Sequence, residues 1–549
     1  GPTLVITRER AHIGEVAEPA KAFADAVSDV VVDLNALSAR AAEAGRDEAA
    51  AVLGAQAMMA DDPMLADSVA EQLEAGDDLQ TAIETSAATL SAMLAALDDE
   101  YLAARSADVL EASTRIVDKL AGVESDALGS ITEPCIIVAP TLTAAETSQL
   151  DPALVLGFVT EEGGATSHVA VIARSLDIPA VVGLADATTL AESAPSLILD
   201  GSTGEVIVAP DDDTVASFEQ RRAAEEQERL AADAFRGVSI TFDGAAFSVP
   251  ANVGGPEDVS RAVEAGADGI GLYRTEVLFL DREDPPSESE QEAIYREALE
   301  SFTHPVVVRT LDIGGDKPAP YLDTPEEENP FLGERGVRIY PVFADLFRTQ
   351  IRALLRASTA GDLWIMIPMI ATVGDFLDSK AVIDDEAATL RSAGVELGSY
   401  KVGVMIEVPS AALLADRLAE HAEFFSIGTN DLTQYTMAAD RTNGRLAQYS
   451  DPAHPAVLEL CRLTALGASQ HSVSVSVCGE AASDPTLAPV FAAMGITKLS
   501  VAAPRVNRVK AQIAAIDVDS AGQAMSQAVE ARDAEEVRRL VESMDLLDM

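Results

Sequence analysis

After Gly237 the chain repeats one pattern eight times: a short apolar run, then a stretch of helical composition. The runs are Phe247–Pro250, Gly269–Tyr273, Val306–Val308, Trp364–Pro368, Val402–Ile406, Phe424–Ile427, Val473–Val477 and Lys498–Val501. Short buried strands that each feed a helix pair in parallel through right-handed crossovers, and eight such units close on themselves as a (β/α)8 barrel. Val337–Tyr340 is a spare strand candidate, which leaves the register of the fourth unit open. Just past the runs' C-terminal ends stand Arg274, Arg309, Glu407, Asn430-Asp431 and Cys478. Any one of these is ordinary strand-end chemistry. Their succession at the end of a barrel that carries active sites predicts a site there.

The residue types say what the site can hold. Arg274 and Arg309, with Arg441 downstream, offer planar forks for a carboxylate or phosphate. Glu407 and Asp431 are hard oxygen ligands suited to Mg2+, which takes one or two carboxylates together with substrate oxygens. Asn430 adds a polar contact, and the Cys478 thiol, with an ordinary pKa of about 8.5, is a proton donor at neutral pH. Together they describe a site for a small phosphorylated carboxylic acid with a metal and an acid catalyst.

The front half reads differently. Thr3–Thr7 predicts a strand, and residues 18–123 are rich in Ala, Leu, Glu and Asp with helical periodicity. Breaks at Ala60–Pro63 and Ala75–Asp78 divide them into about four helices. Strands resume at Cys135–Ala139, Leu154–Val159, Ser196–Asp200 and Glu205–Val208. The simplest organisation is an α/β domain of residues 1–17 and 124–212 with a helical bundle, 18–123, inserted into it. A helical linker, 213–236, then leads to the barrel, 237–549. Within the α/β domain, Gly163-Gly164-Ala165-Thr166-Ser167-His168 predicts a tight turn and helix start, with His168 in the first turn. Free N–H groups and the positive dipole end favour an anion there, so a neutral imidazole could attack a phosphoryl group and keep it.

The formal charge is -53, from 91 acidic and 38 basic residues, and only seven of the latter are lysines. Spread along the whole chain, that excess disfavours nucleic acid and predicts a protein that works in concentrated salt, where repulsion is screened. Three cysteines, Cys135, Cys461 and Cys478, show no disulfide pattern and point to a reducing compartment. With no apolar run of membrane-spanning length and no leader pattern, a cytoplasmic location is expected.

These residues carry a resemblance. Gly163–Gly183, Gly271–Glu276, Arg309–Lys317, Asn329–Gly333, Met366–Met369, Met405–Pro409, Ser426–Tyr435 with Asp440-Arg441, and Cys478–Glu480 resemble, in order, the Enzyme I family of the phosphoenolpyruvate-dependent sugar phosphotransferase system. Leu97–Asp108 is similar to that family's carrier-binding insertion. The resemblance implies a swivelling phosphohistidine domain, a helical domain that holds the small phosphocarrier protein HPr, and a (β/α)8 barrel that binds phosphoenolpyruvate and forms a homodimer. His168 would be phosphorylated on Nε2. Arg274, Arg309, Asn430, Asp431 and Arg441 would bind phosphoenolpyruvate, with Arg335 and Lys317 as weaker candidates. Glu407 and Asp431 would hold Mg2+, and Cys478 would protonate the enolpyruvate carbon. Asp61 and Asp62 are candidate carrier contacts. Ala165 stands where relatives often carry arginine, and Glu334 where a large apolar residue is common. A pyruvate dikinase or phosphoenolpyruvate synthase would need an ATP-binding domain before His168. An idle regulatory relative would lack some of the site residues, all of which are present.

Overall fold

A computed structural model describes the chain apart from residues 7–10, 15, 44–46, 96–105, 123–130, 143–145, 148–149, 152, 163–172, 174–177, 193, 202, 281, 283, 315–318, 320, 323–326, 442 and 545–549. The predicted helix start around His168 lies outside the described residues, as do Lys317 and most of Leu97–Asp108. The fold is mixed α/β and packs as two compact units, Gly1–Ala223 and Ala224–Met549. The division falls inside the helix Asp212–Asp233, which buries only Ala232.

In the first unit β1 (Thr3–Val5), β2 (Cys135–Ala139), β3 (Val155–Thr160) and β4 (Ala180–Val181) form a parallel sheet in that order. The pairing of β1 with β2 across the intervening helices makes the helical segment an insertion between neighbouring strands. An antiparallel hairpin, β5 (Leu197–Asp200) with β6 (Glu205–Val208), follows. The inserted segment contains five helices among the described residues, Pro19–Glu43, Asp47–Ala60, Pro63–Ala75, Leu79–Ala95 and Ser106–Ala121, rather than about four. The division after Glu43 has only Gly45 as a sequence mark, a weak one. The other breaks have firm chemistry. Asp62 caps Pro63–Ala75 by accepting from the Met64 N–H at 2.7 Å, and Gly76 ends that helix at φ 102°. Phe23, Leu34, Leu53, Leu65, Ile83, Val109 and Ile116 make its own core.

The second unit opens with a hairpin, β7 (Ile240–Phe242) and β8 (Ala245–Phe247). Of the expected first barrel strand, Phe247 closes the hairpin, while Ser248–Pro250 run alongside the closing strand, Ser248 bridging Lys498 in parallel, and lead into β9 (Ala251–Val253). Pro250 lacks an N–H but its carbonyl accepts from the Val501 N–H on the closing-strand side, and on the other side Ala251 donates to Gly269. The strands β10 (Ile270–Arg274), β11 (Val306–Arg309), β12 (Leu363–Ile367), β13 (Tyr400–Ile406), β14 (Phe424–Ile427) and β15 (Ser474–Val477) follow, each parallel to the last. The final pieces, β16 (Lys498–Leu499) and β17 (Val501–Ala502), are two halves of one strand broken at Ser500. The first half pairs with β15 and the second with β9. The nine pieces are thus eight strand positions closed into a barrel. Val337–Tyr340 is not a strand: Gly336 enters at φ 55° and Gly336–Ile339 is a 3-10 turn.

Side chains alternate along these strands, as a period of two requires. Val306, Val308, Ile365, Ile367, Val404 and Ile406 belong to the large core that the helices cover. Leu272, Val307, Trp364, Met366, Met405, Phe424 and Cys478 form a separate cluster that fills the barrel. Gly403 lets Phe424 into that interior: a Cβ at 403 would lie 2.4 Å from the Phe424 carbonyl oxygen and 2.5 Å from its ring.

Candidate active site

Two residues beyond an inward-facing position, the next side chain also faces inward. Leu272 leads to Arg274, Val307 to Arg309, Met405 to Glu407 and Ser476 to Cys478, all at or just past the strands' C-terminal ends. Four residues far apart in sequence thereby meet at one end of the barrel.

A buried ion-pair network supports them. Arg309 reaches Glu276 and Asp312 at 3.0 Å each. Arg335 forks onto Asp312 at 2.8 and 3.2 Å and donates to Asp431 at 3.2 Å. Asp431 also takes Arg441 at 3.3 Å. Burial works against the charges on Arg309 and Arg335, but the carboxylates outweigh it and hold both guanidinium groups firmly protonated. Tyr435 accepts from Arg335 and donates to the Phe331 carbonyl at 2.5 Å, and the Phe331 ring lies under both Arg335 and Arg441. Arg274 is exposed and, among the described residues, has no carboxylate partner, so its fork is free for an anion. Asn430 donates to Glu480 Oε1 at 3.4 Å while its own Oδ1 accepts the Glu480 N–H at 3.1 Å.

Glu407 is almost fully buried. Its Oε1 accepts the Met369 N–H at 2.6 Å, and its Oε2 is buried with no hydrogen-bond partner. Met369 sits at φ 57°, a strained conformation for a side chain of that size, which aims its N–H at the carboxylate. Gly336 makes room: a Cβ there would come within 2.9 Å of Met369 and 3.1 Å of Asp312. Burial, then the charges of Asp431 and Asp312, push the Glu407 carboxyl up to about 8, against the pull of Arg309 and Arg335. A buried carboxylate with an orphaned oxygen and a second carboxylate charge nearby is the chemistry a divalent cation satisfies. Glu407 and Asp431 therefore fit Mg2+. Among the described residues no third His, Cys, Asp or Glu completes a set around them, so the other ligands would be substrate oxygens and water.

Cys478 is buried, and burial pushes its thiol up to about 11, with Glu407 adding to the rise and Arg309 and Arg274 opposing it. Its Sγ lies 3.6 Å from the Ile427 carbonyl. Asn252 donates to the carbonyls of Cys478 and Ser500 at 3.1 and 3.2 Å, fixing the top of β15 against the closing strand. All three cysteines are free and buried.

The structure thus brings together Arg309, Glu407, Asp431, Arg441 and Cys478 with Arg274 at the rim. His168 and Lys317 lie outside the described residues. Glu276, Asp312, Tyr435 and Asn252, and the central place of Arg335, were not anticipated. A signal existed for two of them: Glu276 and Asp312 stand two and three residues beyond the strand-end arginines.

The chain matches three family models: the phosphoenolpyruvate-binding domain of phosphoenolpyruvate-utilising enzymes over residues 228–518, their mobile domain over 131–204, and their N-terminal domain over 1–105. It is 39% identical over 536 residues to a phosphoenolpyruvate-protein phosphotransferase of Bacillus sp. (strain S), covering 97% of this chain and 93% of that protein. A protein of the same name from Geobacillus stearothermophilus shows the same identity and coverage. Another from Haloferax volcanii is 42% identical over 507 residues, 91% of this chain and 88% of that one.

Proposed function

Because the chain belongs to the phosphoenolpyruvate-utilising enzymes and, within them, to the phosphoenolpyruvate-protein phosphotransferases of the Enzyme I family, we propose that it moves the phosphoryl group of phosphoenolpyruvate to its own His168 and then to a histidine of the phosphocarrier HPr. The overall chemistry, phosphoenolpyruvate-dependent phosphotransfer, comes with the family. The residue roles are our reading of the site.

The observation that carries this reading is a buried thiol, kept protonated, at the same barrel end as the charged arginines and the orphaned Glu407 oxygen. Arg274, Arg309 and Arg441 bind the carboxylate and phosphate of the substrate, and Asn430 turns from Glu480 to contact it. Glu407 and Asp431 hold Mg2+, which when bound neutralises charge on the phosphoryl and carboxylate oxygens. His168 Nε2 attacks phosphorus as the bond to the enol oxygen breaks, and the Cys478 thiol gives its proton to the enolate carbon, releasing pyruvate. Phosphohistidine and thiolate remain. The thiolate takes a proton from solvent before the next turnover. A thiol pushed up by burial is a reluctant thiolate, so it stays loaded until the strongly basic enolate forms.

The inserted helical segment contains none of these residues, which suits a carrier-holding role. A homodimer through the barrel and a cytoplasmic, salt-rich setting complete the proposal. No helix among the described residues is long and apolar enough to cross a membrane. The test is labelling with [32P]phosphoenolpyruvate. The full chain with Mg2+ should become labelled at residue 168 and pass the label to HPr, whereas His168→Ala takes none. Label on His168→Ala, or none on the unaltered chain, overturns the assignment.

A further inference from the structure

The same strands carry a second cluster at their opposite ends. Trp364 is the second residue of β12, and Lys401, the second of β13, is its register partner. Lys498 begins β16, four strands further round the barrel. The Lys401 and Lys498 ammonium nitrogens lie 4.3 and 4.1 Å from the centre of the one indole ring. The indole N–H donates to Asp362 at 3.1 Å, and the Phe424 ring packs 4.8 Å from the indole.

The other lysines show what is unusual here. Lys21 pairs with Glu18, Lys119 with Asp29 and Asp33, Lys380 with Asp384, and Lys510 with Asp268. Among the described residues the two lysines without a carboxylate partner are the two that meet at Trp364. In a chain with 91 acidic residues against 38 basic ones, acids to pair them are not scarce. Two cation–π contacts attract each ammonium to the ring but leave their mutual repulsion standing. Burial and then the charge of Lys401 act against the charge on Lys498, and Asp362 favours it. Two ammonium groups and one carboxylate leave a single positive charge unbalanced.

We infer that this end of the barrel binds one small monovalent anion of the halide class between the ammonium groups of Lys401 and Lys498, beside the Trp364 ring. Asp362 sets the valence: an anion with two or more charges meets a carboxylate it must face, whereas a halide leaves the cluster neutral. The inference is independent of the phosphotransfer reading, since none of these residues belongs to that site.

Trp364 is the chain's only tryptophan, so its emission reports this place alone. The probe is iodide, a quencher, titrated into the full chain in potassium gluconate at constant ionic strength. Quenching should saturate, and chloride at about four times its own half-saturation should raise the iodide midpoint about fivefold by competition. Phosphate at the same ionic strength should not. The double variant Lys401→Met/Lys498→Met should show only linear collisional quenching, while Lys498→Arg, which keeps the charge, should still saturate. Phosphotransfer by either variant should be unchanged. Linear quenching of the unaltered chain unmoved by chloride overturns the inference without recourse to a variant. Displacement by phosphate as readily as by chloride overturns the halide assignment.

Discussion

Asp312 is the residue whose loss should reveal how the site is built. It is 3% exposed and takes three charge-assisted contacts, one from Arg309 at 3.0 Å and two from Arg335 at 2.8 and 3.2 Å. Its removal leaves two buried guanidinium groups short of a counter-charge. Breaking a buried ion pair from one side costs roughly 3–5 kcal/mol, mostly because the surviving charge stays desolvated. Here Arg309 keeps Glu276 and Arg335 keeps Asp431, so the low end of that range, about 3 kcal/mol, is expected for Asp312→Ala. For a large domain each kcal/mol moves the melting temperature by roughly 2–4 °C, giving a fall of about 6–12 °C. The sole tryptophan, Trp364, lies in the barrel, so thermal melts followed by its emission isolate that domain from the rest of the chain. Asp312→Asn retains an acceptor oxygen and should lose about half as much. Turnover should fall in both variants, because Arg309 is no longer held from two sides. A melting temperature within a degree or so of the unaltered chain for Asp312→Ala would mean that the network is a surface-like set of weak pairs, and the argument fails.

Three further outcomes are expected. Cys478→Ala should retain substrate binding but lose turnover by roughly 10²–10⁴-fold. With the thiol pushed up to about 11, the unaltered enzyme should keep its acid catalyst where an ordinary thiol of pKa about 8.5 would already have ionised, and lose it only as pH rises through about 11; a loss centred near 8.5 contradicts the burial. Glu407→Gln should abolish activity at ordinary Mg2+ yet raise the melting temperature in Mg2+-free buffer. A carboxyl raised to about 8 in the folded state weakens folding as pH climbs from its ordinary value through 8, and glutamine removes that loss; a lower melting temperature at pH 9 refutes the sign. Lastly, with a charge of -53 the chain should unfold more readily at 0.1 M salt, where the Debye length is about 10 Å, than at 1 M, where it is about 3 Å. A salt-independent melting temperature removes the basis for a salt-adapted protein.

The barrel was legible because its physics is local. Each strand is a short apolar run that any reader of the chain can count, and the residue after it is fixed to one end of the barrel by direction alone. The reading slipped where a local signal was ambiguous. Phe247–Pro250 serves two elements: Phe247 ends the hairpin, while Ser248–Pro250 pair with the closing strand and lead into Ala251–Val253. Val337–Tyr340 has strand composition, but Gly336 at φ 55° turns the chain before it can extend. In the bundle, the division after Glu43 had only Gly45, and no proline, in the sequence to announce it.

Site residues were legible in proportion to how far their chemistry stands from that of a packed strand end. Arg274, Arg309, Glu407 and Cys478 are conspicuous because a guanidinium, a carboxylate or a lone thiol at the end of an apolar run invites a reason. The residues that hold them were not. Glu276 and Asp312 are two acids in a chain that has 91, and composition cannot say which of them is buried. Only the fold decides: both are nearly inaccessible and both face Arg309, whereas most of the other acids remain on the surface. Met369 is still less readable, since a methionine gives no hint of a left-handed backbone, and its contribution to Glu407 is a main-chain N–H. The same blindness applies at the other end of the barrel. Lys401 and Lys498 are 97 residues apart in sequence, and neither resembles a ligand until β13 and β16 bring both to one ring. What a strand-end pattern encodes is which residues face inward at a given height. Which of them meet, and whether their charges balance, depends on side chains arriving from strands on opposite sides of the barrel, and that information exists only once the barrel has closed.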